Sequence, residues 1–160
     1  MSNNLSDRQW ESHIWLSRMW NMEKQIESYE RRKADIISML SGIGKYDANF
    51  IPANNGTNSV ETKHLEYSMI SEKLECLLDE ISLENVKTME VIDKIKDPMM
   101  RSMLYDRYLC RLSYKQLSEK YHYAERQPYR YMHKCLDKIR SFIPDEWVLQ
   151  AIQEGDVQRG

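Results

Sequence analysis

The feature that most constrains the fold is a long stretch of helical periodicity over residues 59–96. Apolar side chains and one threonine recur there at three- and four-residue spacing and form one stripe, at Ile70, Leu74, Leu77, Leu78, Ile81, Thr88, Ile92 and Ile95. A helix of this length cannot bury such a stripe without a partner. The pattern therefore predicts an all-α fold built around a long, antiparallel, coiled-coil-like helical hairpin.

The partner helix is predicted in the N-terminal part of the chain. Ser6 and Gln9 have the spacing of a capping box, and a helical pattern runs from there to about Leu40. Residues 42–58, rich in Gly and Asn, are predicted to form the loop of the hairpin. Two arrangements are open: the hairpin self-associates, or it remains monomeric and packs on the C-terminal part.

Asp97 and Pro98 mark the sharpest boundary in the chain. Asp is a favoured N-cap, and Pro is pre-organised for the first position of a helix. Ser113 and Gln116 have the spacing of a second capping box. Three short helices are therefore expected, over residues 98–110, 114–121 and 124–142.

The predicted organisation has three parts. A helical hairpin for oligomerisation or partner binding precedes a trihelical helix-turn-helix domain and a tail with room for one short helix, over residues 1–96, 97–143 and 144–160. The central part holds ten basic and five acidic residues, although the whole chain has a net charge of −2. This asymmetry favours a polyanion-binding module, and solvated charged helices are the alternative.

A helix-turn-helix places its second helix in the major groove of DNA. An inward stripe is predicted on the last of the three helices, formed by Tyr131, Cys135, Leu136, Ile139 and Ile143. Six side chains near its start are then left to face the bases: Glu125, Arg126, Gln127, Tyr129, Arg130 and His133. Four basic residues are predicted to contact phosphates: Lys115, Lys134, Lys138 and Arg140. Double-stranded DNA is thus the predicted partner.

A family resemblance covers the same segment. The run DPMMRSMLYDRYLCRLSYKQLSEKYHYAERQPYRYMHKCLDKIR resembles region 4 of bacterial sigma factors. It is still more similar to phage-encoded sigma-like regulators of the ArpU/RinA kind. The matching residues are Arg107, Tyr108, Leu109, Ser113, Tyr114, Leu117, Ser118, Tyr123, Arg126, Arg130, Leu136, Lys138 and Ile139. The resemblance implies a sigma region 4-like helix-turn-helix, activation of late phage transcription, and host RNA polymerase as a second partner.

Three positions depart from the pattern of that family. His122 stands where the turn usually carries Gly, Ala124 replaces the usual Ser or Thr cap, and Pro128 occupies an apolar position. His is among the side chains that tolerate a positive φ, whereas Ala cannot accept a capping hydrogen bond. Pro128 would remove an intrahelical bond if the helix began at Glu125, so the helix is expected to start later or to be distorted.

The cysteine and histidine residues of this segment do not form a recognisable metal motif. Cys110, His122, His133 and Cys135 lack the paired spacing of zinc ligands. Motifs of nucleophilic, phosphate-binding and metalloprotease catalysis are also missing from the sequence. The chain is therefore predicted not to be an enzyme and to need no cofactor, and its three cysteines are expected to be reduced thiols.

The sequence has no run of about 18 apolar residues and no secretory signal, so we expect a cytoplasmic protein without membrane contact. The resemblance to phage regulators implies that this cytoplasm is that of a bacterial host. Two functions compete with that of a DNA-binding transcription regulator. One is a small-terminase-like subunit for DNA packaging or assembly, which also combines a helix-turn-helix with oligomerising helices. The other is a protein-interaction module without DNA, in which the basic helices bind an acidic partner.

Overall fold

A computed structural model describes residues 4–42 and 56–155 of the chain. Seven α-helices and no β-strand occur in these ranges, which confirms the predicted all-α class. The helices are α1 (Asp7–Leu16), α2 (Trp20–Ser41), α3 (Gly56–Asp93), α4 (Pro98–Tyr108), α5 (Tyr114–Tyr121), α6 (Gln127–Arg140) and α7 (Asp145–Gly155). None of these seven is both long and apolar enough to cross a bilayer.

Local capping signals place most helix starts where the sequence predicts them. Both capping boxes form, at the pairs Ser6–Gln9 and Ser113–Gln116. The Asp97 carboxylate accepts the Met99 N–H at 2.9 Å, and Pro98 occupies the first turn of α4. The tail contains the expected short helix, α7. Most of the predicted loop 42–58 lies outside the described residues, and α3 has already begun at its end.

The prediction of one continuous helix from Ser6 to Leu40 is wrong, because the chain leaves the helical path after α1 and resumes it at α2. The Ser17 hydroxyl and the Ser17 backbone N–H both donate to the His13 carbonyl, at 2.6 and 2.9 Å. The Arg18 guanidinium donates to the Trp15 carbonyl at 2.8 Å. These bonds satisfy the last carbonyls of α1, which lets the helix end there without unpaired backbone groups.

Contacts divide the chain into two compact units, and the division differs from the predicted one at residue 96. The core unit consists of Met1–Met19 and Leu83–Gly160, and the paired-helix unit consists of Trp20–Ser82. The difference arises because α1 packs on α6 and α7, which places the N-terminal helix in the same unit as the C-terminal helices. Helix α3 contributes residues to both units.

In the paired-helix unit, α2 and the first part of α3 run antiparallel. Lys73 lies over the ring of Tyr29, and Arg32, further along α2, donates two hydrogen bonds to Glu66, earlier in α3, at 2.6 and 2.9 Å. A later residue of α2 is thus paired with an earlier residue of α3, as expected for antiparallel helices. The apolar side chains buried in this unit include Ile26 and Ile36 of α2 and Ile70, Leu74 and Ile81 of α3, whereas Leu78 of the predicted α3 stripe is 44% exposed.

In the core unit, α6 is central because α1, α4 and α5 all pack on it. The largest fully buried side chains of the core unit include Trp15, Tyr108, Met103, Leu104, Leu117, Met132, Leu136 and Ile139. The Trp15 and Trp147 rings stack with centroids 5.7 Å apart, which joins α1 to α7. This apolar centre fixes which face of α6 is left to solvent.

Candidate nucleic-acid interface

The turn between α5 and α6 forms without glycine. His122 adopts the left-handed conformation, with φ 57° and ψ 42°, at the position where the family pattern carries Gly. The Tyr123 N–H donates to the Ser118 carbonyl at 3.0 Å, which is the long bond of a Schellman-type helix end. A histidine therefore provides the left-handed residue of the turn between α5 and α6.

Helix α6 begins at Gln127, so the predicted start at Ala124 is wrong. Gln127 accepts the Ala124 N–H through its side-chain oxygen at 3.2 Å and donates its own N–H to the Ala124 carbonyl at 3.0 Å. Pro128 then lies in the first turn, where a backbone N–H has no intrahelical acceptor. This is the later start expected from Pro128, whose ring is buried.

One side of α6 faces solvent and carries positive charge. A residue advances about 100° around a helix, so positions separated by three, four or seven share a side. Four exposed residues follow this spacing and define the α6 stripe: Gln127, Arg130, Lys134 and Lys138. The opposite side holds the buried residues Pro128, Met132, Cys135, Leu136 and Ile139. Two of these five, Pro128 and Met132, were absent from the predicted inward stripe, and Tyr131 is only half-buried.

Two of the six residues predicted to face the bases are not exposed. Tyr129 and His133 are half-buried, and their ring centroids are 4.5 Å apart. Tyr129 also contacts Tyr114 of α5 edge to face, at 5.2 Å. Burial lowers the pKa of His133, and its buried Nε2 has no hydrogen-bond partner within the described chain. These two rings therefore lie along the contact between α5 and α6. The other four predicted residues, Glu125, Arg126, Gln127 and Arg130, are exposed.

Arg140 was predicted to contact a phosphate, but its side chain is mostly buried and bound to other residues of the protein. Its guanidinium donates to Glu11 and to Asp145, each at 2.7 Å, and to the Ile143 carbonyl at 2.8 Å. Its side chain is only 12% exposed. Arg140 thus links α6 to α1 and α7, and two carboxylates compensate its charge. The other three residues predicted to contact phosphate, Lys115, Lys134 and Lys138, are exposed.

Internal contacts also engage other cations of residues 97–143. Arg101 donates to the carbonyls of Ile95 and Lys96 at 2.6 and 3.0 Å, and thereby caps the end of α3. Arg107 lies 4.4 Å from the centre of the Tyr114 ring. Five exposed cations of this segment form no salt bridge with any described residue: Lys115, Arg126, Arg130, Lys134 and Lys138. We call these five residues and Gln127 the cationic face; the exposed acids of the same stretch are Glu119, Glu125 and Asp137.

A buried carboxylate that the sequence did not single out positions α5. Asp106 on α4 is 7% exposed and accepts the Lys120 ammonium at 2.7 Å and the Tyr121 hydroxyl at 2.6 Å. Burial and the bond to Asp106 raise the pKa of Tyr121. A charge-assisted pair of this kind fixes α5 against α4. Its only sequence signal is one acid among apolar neighbours, which is too common to identify it.

Helix α1 is the second element that sequence reasoning missed at this face. The buried Ser12 hydroxyl donates to the Leu136 carbonyl at 2.8 Å. Arg8 and Gln9 both donate to Asp137, one to its carbonyl at 3.1 Å and the other to its carboxylate at 2.8 Å. These contacts fix α1 against the C-terminal half of α6. No pattern in the sequence connects residues so far apart.

Metal and thiol chemistry receive no support from the described part of the chain. Those residues include no group of three or more side chains able to hold a metal ion. Cys135 is buried, and burial raises the pKa of its thiol to about 12, so it is protonated at neutral pH. Cys76 and Cys110 are exposed.

No protein-family model matches this chain, and neither a curated protein nor a solved structure is significantly similar to it.

Proposed function

We propose that the protein is a sequence-specific, double-stranded-DNA-binding transcription regulator. The observation that carries the proposal is the cationic face, where five cations without a salt bridge to any described residue lie on α5, on α6 and in the turn between them. Exposed arginine and lysine side chains on a short helix are the usual means of binding phosphates and base edges. In this proposal α4, α5 and α6 act as a sigma region 4-like helix-turn-helix, and α6 lies in the major groove.

The contacts divide along the α6 stripe. Gln127 and Arg130 lie in the first two turns, so they are assigned to base edges, where Arg pairs with guanine and Gln with adenine. Lys134 and Lys138, further along α6, and Lys115 on α5 are assigned to phosphates. Tyr129 and His133 set the packing of α5 on α6 and so act indirectly.

The paired-helix unit has a different proposed role. We assign it to self-association or to contact with host RNA polymerase. Two features of this unit are consistent with such a role. Its two helices share a buried apolar contact, and most of the acidic residues of α3 lie in it.

Salt-dependent DNA binding tests the proposal. Fluorescence anisotropy on a labelled duplex of mixed sequence is to be measured between about 50 and 200 mM salt. We expect the logarithm of the affinity to fall linearly with the logarithm of the salt concentration, because bound cations release counterions from DNA. The triple variant Arg130→Ala, Lys134→Ala, Lys138→Ala should lose about 2 units of this slope, because two of the three residues are assigned to phosphates.

A matched control uses two exposed basic residues of α2, Lys24 and Arg31. The double variant Lys24→Ala, Arg31→Ala should bind with the wild-type slope because these residues lie in the paired-helix unit. No binding of the wild type to any duplex at low salt would refute the proposal and leave the protein-interaction module as the better alternative.

A further inference from the structure

Helix α1 places an arginine at the edge of the α6 stripe. Arg8 is exposed, and its Nε donates to the Asp137 carbonyl at 3.1 Å. The guanidinium makes no other hydrogen bond or salt bridge with the described residues, so its two terminal amino groups can bind a ligand. Arg8 is therefore an exposed cation that is bound to α6 and forms no salt bridge with a described carboxylate.

The anchoring residue shows where this cation lies. Asp137 follows Arg130 by about two turns of α6, so both point in nearly the same direction from the helix axis. Lys134 and Lys138 are its neighbours on the same helix. Since Arg8 is bound to the backbone of Asp137, it flanks the C-terminal half of the α6 stripe.

The acidic side chain of Asp137 has a partner of its own. A carboxylate at the edge of a cationic surface repels a phosphate, and Asp137 is the one acid among the exposed residues that flank Lys134 and Lys138 within α6. The Gln9 amide donates to it at 2.8 Å and holds it on the side of α1. Arg8 thus adds a positive charge beside Asp137, and Gln9 binds the Asp137 carboxylate.

We infer that α1 belongs to the DNA-binding surface: Arg8 contacts a backbone phosphate beside the groove that α6 occupies, and Gln9 holds Asp137 away from that phosphate. The inference rests on the proposed function and extends it to a helix outside the helix-turn-helix. Arg8 is a positioning residue, because a phosphate contact fixes the register of α6 and reads no base.

The test compares Arg8→Ala and Arg8→Lys in the full chain, by anisotropy on a mixed-sequence duplex across the same salt range. Arg8→Ala should weaken binding several-fold and lower the slope by about 0.9, the value for one lost phosphate contact. Arg8→Lys keeps the charge, so its slope should stay at the wild-type value. Arg31→Ala, an exposed arginine on α2, should change neither quantity.

Each outcome decides between the two proposals. An unchanged slope in Arg8→Ala, with normal wild-type binding, overturns the inference and leaves the proposed function intact. Equal losses of slope in Arg8→Ala and Arg8→Lys also overturn it, since they would mean that only the bond to the Asp137 carbonyl matters. Absence of wild-type binding removes the proposed function, and the inference with it.

Discussion

Single side chains on α6 are predicted to differ in what they recognise, although they share a face. Arg130 lies near the start of the helix and Lys138 two turns later. Arg130→Ala should lower affinity for a selected binding site by about 10–100-fold, since a bidentate base contact is worth about 1–3 kcal/mol. Lys138→Ala should weaken selected and random duplexes about equally. The measurement is anisotropy on both duplexes after selection from a random library, and equal losses on both by both variants would refute this division.

The acid beside the α6 stripe gives a prediction of the opposite sign. Asp137→Asn removes one negative charge, and the new side-chain oxygen can still accept the Gln9 amide. Affinity for any duplex should therefore rise a few-fold, most clearly at low salt. The control is Asp79→Asn, an exposed acid of α3 in the paired-helix unit. An Asp137→Asn protein that binds no more tightly than this control would contradict the predicted repulsion.

A half-buried histidine, His13, is predicted to make stability depend on pH. His13 shares a hydrogen bond of 2.8 Å with the Tyr108 hydroxyl, and burial, assisted by the positive charge of Arg107, lowers its pKa to about 4. The unfolded chain, with a histidine pKa of about 6.5, binds a proton more readily, so stability falls as pH drops from about 6.5 towards 4. By pH ~5 this group should cost about 2 kcal/mol.

Denaturant unfolding at neutral pH and at pH ~5 checks the contribution of His13. His13→Gln should lose less stability than the wild type on this acidification, because glutamine does not titrate. His64→Gln, at an exposed position of α3, should behave like the wild type. A wild-type loss that His13→Gln reproduces in full would show that other groups cause it.

At the scale of elements, the sequence predicted best what is decided locally. The caps at Ser6, Asp97 and Ser113 involve residues two or three positions apart, and all of them form. The two errors concern ends set by less regular bonds. Ser17 and Arg18 end α1 by binding its carbonyls, and Gln127 delays the start of α6 by pairing with Ala124. Such side chains are common within helices, so their presence alone predicts no boundary.

Two cations of α6 are predicted to have different roles: Arg140 stabilises the junction of α1, α6 and α7, and Lys138 binds DNA. Arg140→Gln breaks two ion pairs of a mostly buried guanidinium, and it should cost about 1–3 kcal/mol of stability. Its DNA-binding slope should match that of the wild type at temperatures where it is folded. Lys138→Gln, on the exposed face, should show the converse: wild-type stability and a lower slope. Denaturation curves and salt titrations measure both, and a lower slope in Arg140→Gln would restore its predicted phosphate contact.

At the scale of the whole molecule, contacts distant in sequence account for what the sequence could not predict. Ser12 is a polar residue in a helical pattern, yet it is fully buried and bonded to a carbonyl of α6. A stripe of apolar residues shows that a helix needs a partner but does not identify that partner. The long helix α3 and the exposed bases of α6 could therefore be predicted, whereas the attachment of α1 to the core unit could not.

The mass of the particle in solution distinguishes the functions that the sequence left open. Leu65 and Met69 lie one turn apart on α3 and are 61% and 51% exposed, so they form an apolar pair on the surface of the paired-helix unit. We predict a dimer that forms through the paired-helix unit and brings two copies of α6 to two half-sites. Light scattering should give twice the mass of the chain, and Leu65→Lys with Met69→Lys should reduce it to a monomer of weaker DNA affinity. A large closed ring would instead favour the small-terminase alternative, and a wild-type monomer at every concentration would exclude self-association as the role of that unit.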